Sequence, residues 1–163
     1  MRYHNITKDD MLNGDGLRVV LWVSGCEHHC PECQNPITWD INDGLEFGES
    51  AKKEIFDELS RDYITGITFS GGDPLHTQNR EDVGKLVMEI SDKFPDKTIW
   101  IYTGYEWQDV KDLPFMSKVD VLVDGRFVKT LCDVNIPWRG SSNQKVIDVK
   151  QSLKLNKIVL VVK

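Results

Sequence analysis

Leu17-Arg18-Val19-Val20-Leu21-Trp22-Val23-Ser24 decides the fold. Val and Leu dominate it without strict apolar–polar alternation, which is the pattern of a strand covered on both faces, as strands of parallel sheets are. Residues 64–70, 98–102 and 119–123 read as further strands of the same kind. Between them, residues 49–61 set Ile55, Phe56 and Leu59 on one side of a helix. Residues 79–94 carry Val83, Leu86, Val87, Ile90 and Phe94 at helical spacing before Pro95 stops the run. Residues 106–113 read as a short helix and 158–162 as a final strand, while 125–155 shows no clear pattern.

Strand and helix thus alternate, which implies a mainly parallel sheet with helices packed over it. A closed eight-fold barrel typically needs about 250 residues, and this chain has 163. The expectation is therefore an α/β fold, an incomplete (partial) β/α barrel or open sheet, forming a single domain over residues 1–163. Sites in such folds gather at the carboxyl ends of the strands. Four loops follow the four expected strands: the cysteine loop from Cys26, then Gly71-Gly72-Asp73-Pro74, Thr103-Gly104 and Asp124-Gly125. All four would open on one side, so a shared site is expected there.

Bulk properties narrow the function classes. Net charge is −6, with 40% hydrophobic and 28% charged residues. That is ordinary for a globular protein and gives no electrostatic route to nucleic acid or an anionic membrane. Residues 1–10 lack the apolar core of a secretory signal, and the longest apolar runs, 19–23 and 158–162, are too short to span a bilayer. A cytoplasmic protein is expected.

Three of the four cysteines lie within eight residues, in Gly25-Cys26-Glu27-His28-His29-Cys30-Pro31-Glu32-Cys33, while Cys132 stands about a hundred residues away. Disulfide frameworks spread their cysteines, whereas a tight triplet marks metal binding in a reducing compartment. Thiolates are the usual protein ligands of iron–sulfur clusters, and three of them leave one iron of a [4Fe–4S] cluster without a protein ligand. An open coordination position characterises a catalytic metal site. The amino and carboxylate groups of S-adenosylmethionine suit such a position. The competing reading is a structural zinc site completed by His28, His29 or Cys132. Two points count against it: no second short ligand turn exists, and adjacent His28 and His29 cannot easily face one metal. Both histidines are read as loop-surface residues.

With the glycine loop added, the sequence resembles the radical S-adenosylmethionine enzymes, and within them the anaerobic ribonucleoside-triphosphate reductase activating proteins. The similarity runs from about residue 13 to 148. It is carried by Asp15-Gly16-Leu17-Arg18, by the triplet loop through Gln34-Asn35-Pro36 and Thr38-Trp39, and by Ser70-Gly71-Gly72-Asp73-Pro74-Leu75. Tyr102-Thr103-Gly104-Tyr105, Val123-Asp124-Gly125-Arg126-Phe127 and Arg139-Gly140-Ser141-Ser142-Asn143-Gln144 complete it. The resemblance implies that Cys26, Cys30 and Cys33 hold the cluster. It implies that Ser70, Gly71, Gly72 and Asp73 hold the amino group of S-adenosylmethionine, and that the backbone from Glu32 through Cys33 to Gln34 borders its nucleoside.

Much of that superfamily has an aromatic residue before the third cysteine; here Glu32 stands there, and the adenine platform stays unassigned. Gly-Gly-Asp-Pro alone would be an ordinary turn, but its place after a strand and its partnership with the triplet favour a ligand loop. Thr103 is either a ligand contact or the close of its strand, and Asp124 either meets ribose or makes a turn. Arg139 either pairs the substrate carboxylate through its planar fork or faces the surface. Cys132 is read as a small buried side chain, and Trp39 and Trp138 as residues near the site. The implied partners are the large glycyl-radical subunit of an anaerobic ribonucleotide reductase and an external low-potential electron donor. A radical enzyme acting on a small molecule, or a non-catalytic zinc-stabilised binding module, are the alternatives.

Overall fold

The computed structural model describes residues 1–161. Seven strands form one mixed sheet: β1 (Arg2–Asp10), β2 (Arg18–Val23), β3 (Leu45–Glu46), β4 (Gly66–Gly71), β5 (Thr98–Tyr102), β6 (Val121–Asp124) and β7 (Lys145–Asp148). Their spatial order is β3-β1-β2-β4-β5-β6-β7. β2, β4, β5 and β6 pair in parallel, while β1, β3 and β7 add antiparallel edges. The helices are α1 (Glu49–Leu59), α2 (Arg80–Lys93), α3 (Trp107–Val110) and α4 (Val149–Leu155).

The period-two geometry of a strand sorts the side chains into two sets. Val19, Leu21, Val23, Ile67, Phe69, Ile99, Ile101, Leu122 and Ile147 share one core with Ile55 and Leu59 of α1, Val83, Leu86, Val87 and Ile90 of α2, and Val110 of α3. The opposite face carries Trp100, Val121, Val123 and Val146, against which Tyr102 and Trp138 pack. Helices thus cover one face, and the loop from Gly125 to Gln144 lies across the other. The two-sided burial expected for the central strands comes from Trp138 of that loop together with Val161, Arg18 and the Asn13–Gly14 segment, not from a second helical layer.

Arg18 closes the lower end of this second face. Fully buried, it donates to Thr68 Oγ1 (2.9 Å), Thr98 Oγ1 (2.8 Å) and the carbonyls of Asp15, Ile67 and Thr98. Its guanidinium also lies 5.4 Å from the Trp100 ring centroid. Burial lowers its pKa to about 10. Five oriented oxygens take the place of water around the cation.

The strand expected over 64–70 begins at Gly66, and the helix expected over 106–113 shrinks to one turn. Four elements lie beyond the expectation: β1, β3, β7 and α4. β1 is polar and only half-buried, with two register shifts against β2, as suits a strand near a sheet edge. Of the strand expected over 158–162, the described residues form an isolated bridge from Leu160 to Ile147, flanked by bonds from the Asp148 amide to Val159 O (2.8 Å) and from the Val161 amide to Val146 O (2.9 Å); Val162 lies outside them. Among the described residues, no helix is long and apolar enough to cross a membrane.

Candidate metal centre

The parallel core sends the loops after β2, β4, β5 and β6 to one end of the sheet. There they enclose a cavity of about 870 Å³. Cys26, Cys30, Cys33, Gln34, Ser70, Gly71, Gly72, Asp73 and Thr103 all line it, as do His28, Trp39, Tyr102, Trp138 and Arg139. Two expected site residues do not. Glu32 turns outward to an exposed ion pair with Lys129 (2.9 Å). Asp124 is fully buried behind the cavity wall, accepting from the Trp107 and Lys145 amides (2.9 and 3.2 Å).

The cysteine loop is bent around its three thiols. His29 and Glu32, on either side of Cys30, adopt φ of 46° and 56°. That region is rare for residues with a side chain and costs about 1–3 kcal/mol each where the surroundings enforce it. All three thiols are half-buried and unpaired. Burial pushes the Cys26 thiol up to about 11, against opposing hydrogen bonds from the backbone at His28 and His29. The Asn35 amide lies 3.4 Å from Cys33 Sγ. Such N–H donors to sulfur are among the features that tune iron–sulfur potentials. Among the described residues, no three His, Cys, Asp or Glu side chains converge on a point where one metal ion would sit. A cluster asks for something different, one thiolate at each of several separate irons. Three thiols around one wall of a roomy cavity fit that demand.

Gly71 and Gly72, expected in a ligand loop, are also closely confined by the protein itself. A Cβ on Gly72 would lie 2.5 Å from the Gly25 carbonyl oxygen and 2.7 Å from that of Thr38. Gly71 has φ of 104°, and a Cβ there would lie 2.6 Å from the Val23 backbone nitrogen and oxygen. The amides of Gly72 and Asp73 bond Val23 O (2.8 Å) and Gly25 O (2.6 Å). The glycine ridge and the cysteine loop are therefore in backbone contact.

His28 corrects the reading of both histidines as surface residues. Its side chain is 5% exposed and lies 2.6 Å from Asp73 Oδ2. His29 is exposed and stacks on Trp39 at 4.5 Å. Sequence gave no signal for the difference, because it depends on the partner loop. Cys132, expected to be buried, is exposed at the cavity mouth. Arg139 is tied back, donating to the Gln144 carbonyl at 2.6 Å.

Comparison with known proteins agrees with this geometry. Residues 12–147 match the family described as a 4Fe-4S single cluster domain. The chain is 44% identical over 146 residues to the anaerobic ribonucleoside-triphosphate reductase-activating protein of Enterobacteria phage T4, covering 90% of this chain and 93% of that one. The protein of that name from Escherichia coli K12 is 44% identical over 150 residues, covering 90% and 97%. Its Vibrio cholerae counterpart is 39% identical over 153 residues, again covering 90% and 97%. Similarity at that level across nearly the whole of each protein places this chain in the family of anaerobic ribonucleoside-triphosphate reductase-activating proteins.

Proposed function

We propose that this chain activates an anaerobic ribonucleoside-triphosphate reductase by generating a glycyl radical on its large subunit. The observation that carries the reading is the grouping of three half-buried thiols on one cavity wall in a chain of this family. Cys26, Cys30 and Cys33 would hold a [4Fe–4S] cluster, leaving one iron open to S-adenosylmethionine. When bound and reduced by an external low-potential donor, the cluster supplies the electron that splits the sulfonium into methionine and a 5′-deoxyadenosyl radical, which takes a hydrogen from a glycine Cα of the reductase.

The chain's own residues do the positioning. Ser70, Gly71 and Gly72 border the space for the amino-acid end of S-adenosylmethionine, and Gln34 borders the cavity beside the third thiol. The outward turn of Glu32 leaves only its backbone for the nucleoside. Asp124 supports the wall from behind, holding the starts of α3 and β7. Trp22, Tyr102 and Trp138 give the cavity an aromatic side that limits water. We read the sheet as an incomplete β/α barrel in a single domain, with the opening of the cavity admitting a loop of the reductase. Its four unpaired thiols suit the reducing cytoplasm.

The test is anaerobic mixing of reduced, reconstituted protein with S-adenosylmethionine and the large reductase subunit, followed by electron paramagnetic resonance. A glycyl-radical signal is expected with the unaltered protein and none with Cys30→Ala. A full signal from Cys30→Ala would overturn the reading.

A further inference from the structure

Asp73 stands where a ligand contact is expected, yet its carboxylate is already occupied. It is 1% exposed. Oδ1 accepts from the Leu75 amide (2.9 Å) and Thr103 Oγ1 (2.8 Å). Oδ2 accepts from His28 Nε2 (2.6 Å) and the Gly104 amide (3.0 Å). A carboxylate offers about four lone-pair sites, and four protein donors fill them. Nothing remains for the ammonium of a bound amino acid. Thr103 is partly committed: its hydroxyl proton goes to Asp73, and one of its two lone pairs accepts from the Tyr105 amide at 3.2 Å.

These donors come from three separate loops: His28 from the cysteine loop, Leu75 from the ridge, and Thr103 and Gly104 from the end of β5. His28 is also wedged sterically. Its ring meets Tyr105 edge-on at 4.7 Å, and a Cβ on Gly104 would lie 2.4 Å from His28 Cδ2. Two further links join the same pair of loops. Glu27 of the cysteine loop lies 3.1 Å from His76 Nε2, and Asn79 Nδ2 donates to the carbonyls of Ser24 (2.9 Å) and Asp73 (3.2 Å).

We propose that Asp73 is a buried crosslink rather than a contact for S-adenosylmethionine, and that through it His28 is a positioning residue that holds the cysteine loop in its metal-binding shape. This rests on the reading of Cys26, Cys30 and Cys33 as cluster ligands. The loop carries two residues in the left-handed region, so it needs an outside hold. A short, shielded, charge-assisted hydrogen bond is a strong one, and the site beside the third cysteine's neighbour is not otherwise clamped, since the Glu32–Lys129 pair is exposed.

Three variants test this: His28→Phe keeps the ring and removes the donor, His28→Gln returns a donor, and Asp73→Asn removes the anion. In metal-free protein, hydrogen exchange of amides 26–35 should quicken about ten- to a hundredfold in His28→Phe while the α2 amides are unchanged, and should return towards the unaltered rate in His28→Gln. In reconstituted protein, His28→Phe and Asp73→Asn should lose iron to a ferrous chelator about tenfold faster or more. At matched cluster content, the KM for S-adenosylmethionine should stay within about twofold, as expected of groups that do not touch the ligand. Unchanged exchange and iron loss in His28→Phe would overturn the latch. A rise in KM of about tenfold in Asp73→Asn, with iron retention intact, would make Asp73 a ligand contact instead. Should the unaltered protein take up no cluster, the functional reading fails, while the exchange measurement still decides whether His28 holds the loop.

Discussion

Gly72→Ala tests whether backbone contact between the ridge and the cysteine loop sets the site's dimensions. The new Cβ would sit 2.5 Å from one carbonyl oxygen and 2.7 Å from another, and both belong to backbone that no rotamer change can move. Restoring ordinary contact requires the loops to part by roughly 0.5 to 0.9 Å. Overpacking of this kind costs about 1–3 kcal/mol. Parting also stretches the Asp73 N–H bond to Gly25 O, now 2.6 Å, and the weakening or loss of one or two such bonds adds about 0.5–1.5 kcal/mol each. A total of about 2–5 kcal/mol corresponds, for a chain of this length, to a fall in Tm of about 5–15 °C. The assay is thermal unfolding of metal-free protein under anaerobic conditions, paired with iron content after reconstitution. A Tm within about 2 °C of the unaltered protein, with full iron content, would refute the contact argument.

Gly104→Ala pushes directly on His28, whose ring sits 2.4 Å from the added Cβ; its iron loss to a chelator should match that of His28→Phe. In metal-free protein, the raised pKa of Cys26 leaves less thiolate at pH 8 than an ordinary thiol has. A rise from 9.0 to about 11 leaves about a hundredfold less thiolate, which the greater nucleophilicity of a more basic thiolate offsets in part, so alkylation about tenfold slower than for an unperturbed thiol is expected, read by mass spectrometry. The sign is that of an acid whose folded pKa is raised: stability from the neutral thiol is present below pH 9 and lost as pH rises from 9 to about 11. Gly48→Asp should raise Tm by about 1 °C, because Gly48 caps α1 in extended backbone with no side-chain bond and open space around it. Cys132→Ala should leave 5′-deoxyadenosine production largely intact, since Cys26, Cys30 and Cys33 supply the three cluster thiolates without it.

The parallel core was legible because its strands are apolar runs bounded by glycine turns, and because the helix stripes of α1 and α2 have clear spacing. Their order also foretold one shared end for the four loops. β1 was hidden because Arg2–Asp10 is polar and half-buried, a pattern set by its edge position. β7 and α4 together span only residues 145–155, and their burial depends on docking against β6 and Asp120. The spacing of the cysteine triplet marked it as a ligand set but left iron–sulfur and zinc both open, and the family resemblance was needed to choose between them. The roles of His28, Asp73 and Asp124 were not, for one physical reason: a polar residue beside a turn looks the same in sequence whether its hydrogen bonds run to a ligand or to a neighbouring loop. Only the partner's position separates the two, and Thr103 and Gly104 lie about thirty residues from Asp73.

Reduction of reconstituted protein in the presence of S-adenosylmethionine, with iron, sulfide and 5′-deoxyadenosine quantified together, is the most direct measurement. Iron and sulfide of about four per chain, with 5′-deoxyadenosine formed and then abolished by alanine at Cys26, Cys30 or Cys33, is the predicted result. A colourless protein retaining one zinc, or undiminished 5′-deoxyadenosine from any of those three variants, would contradict it.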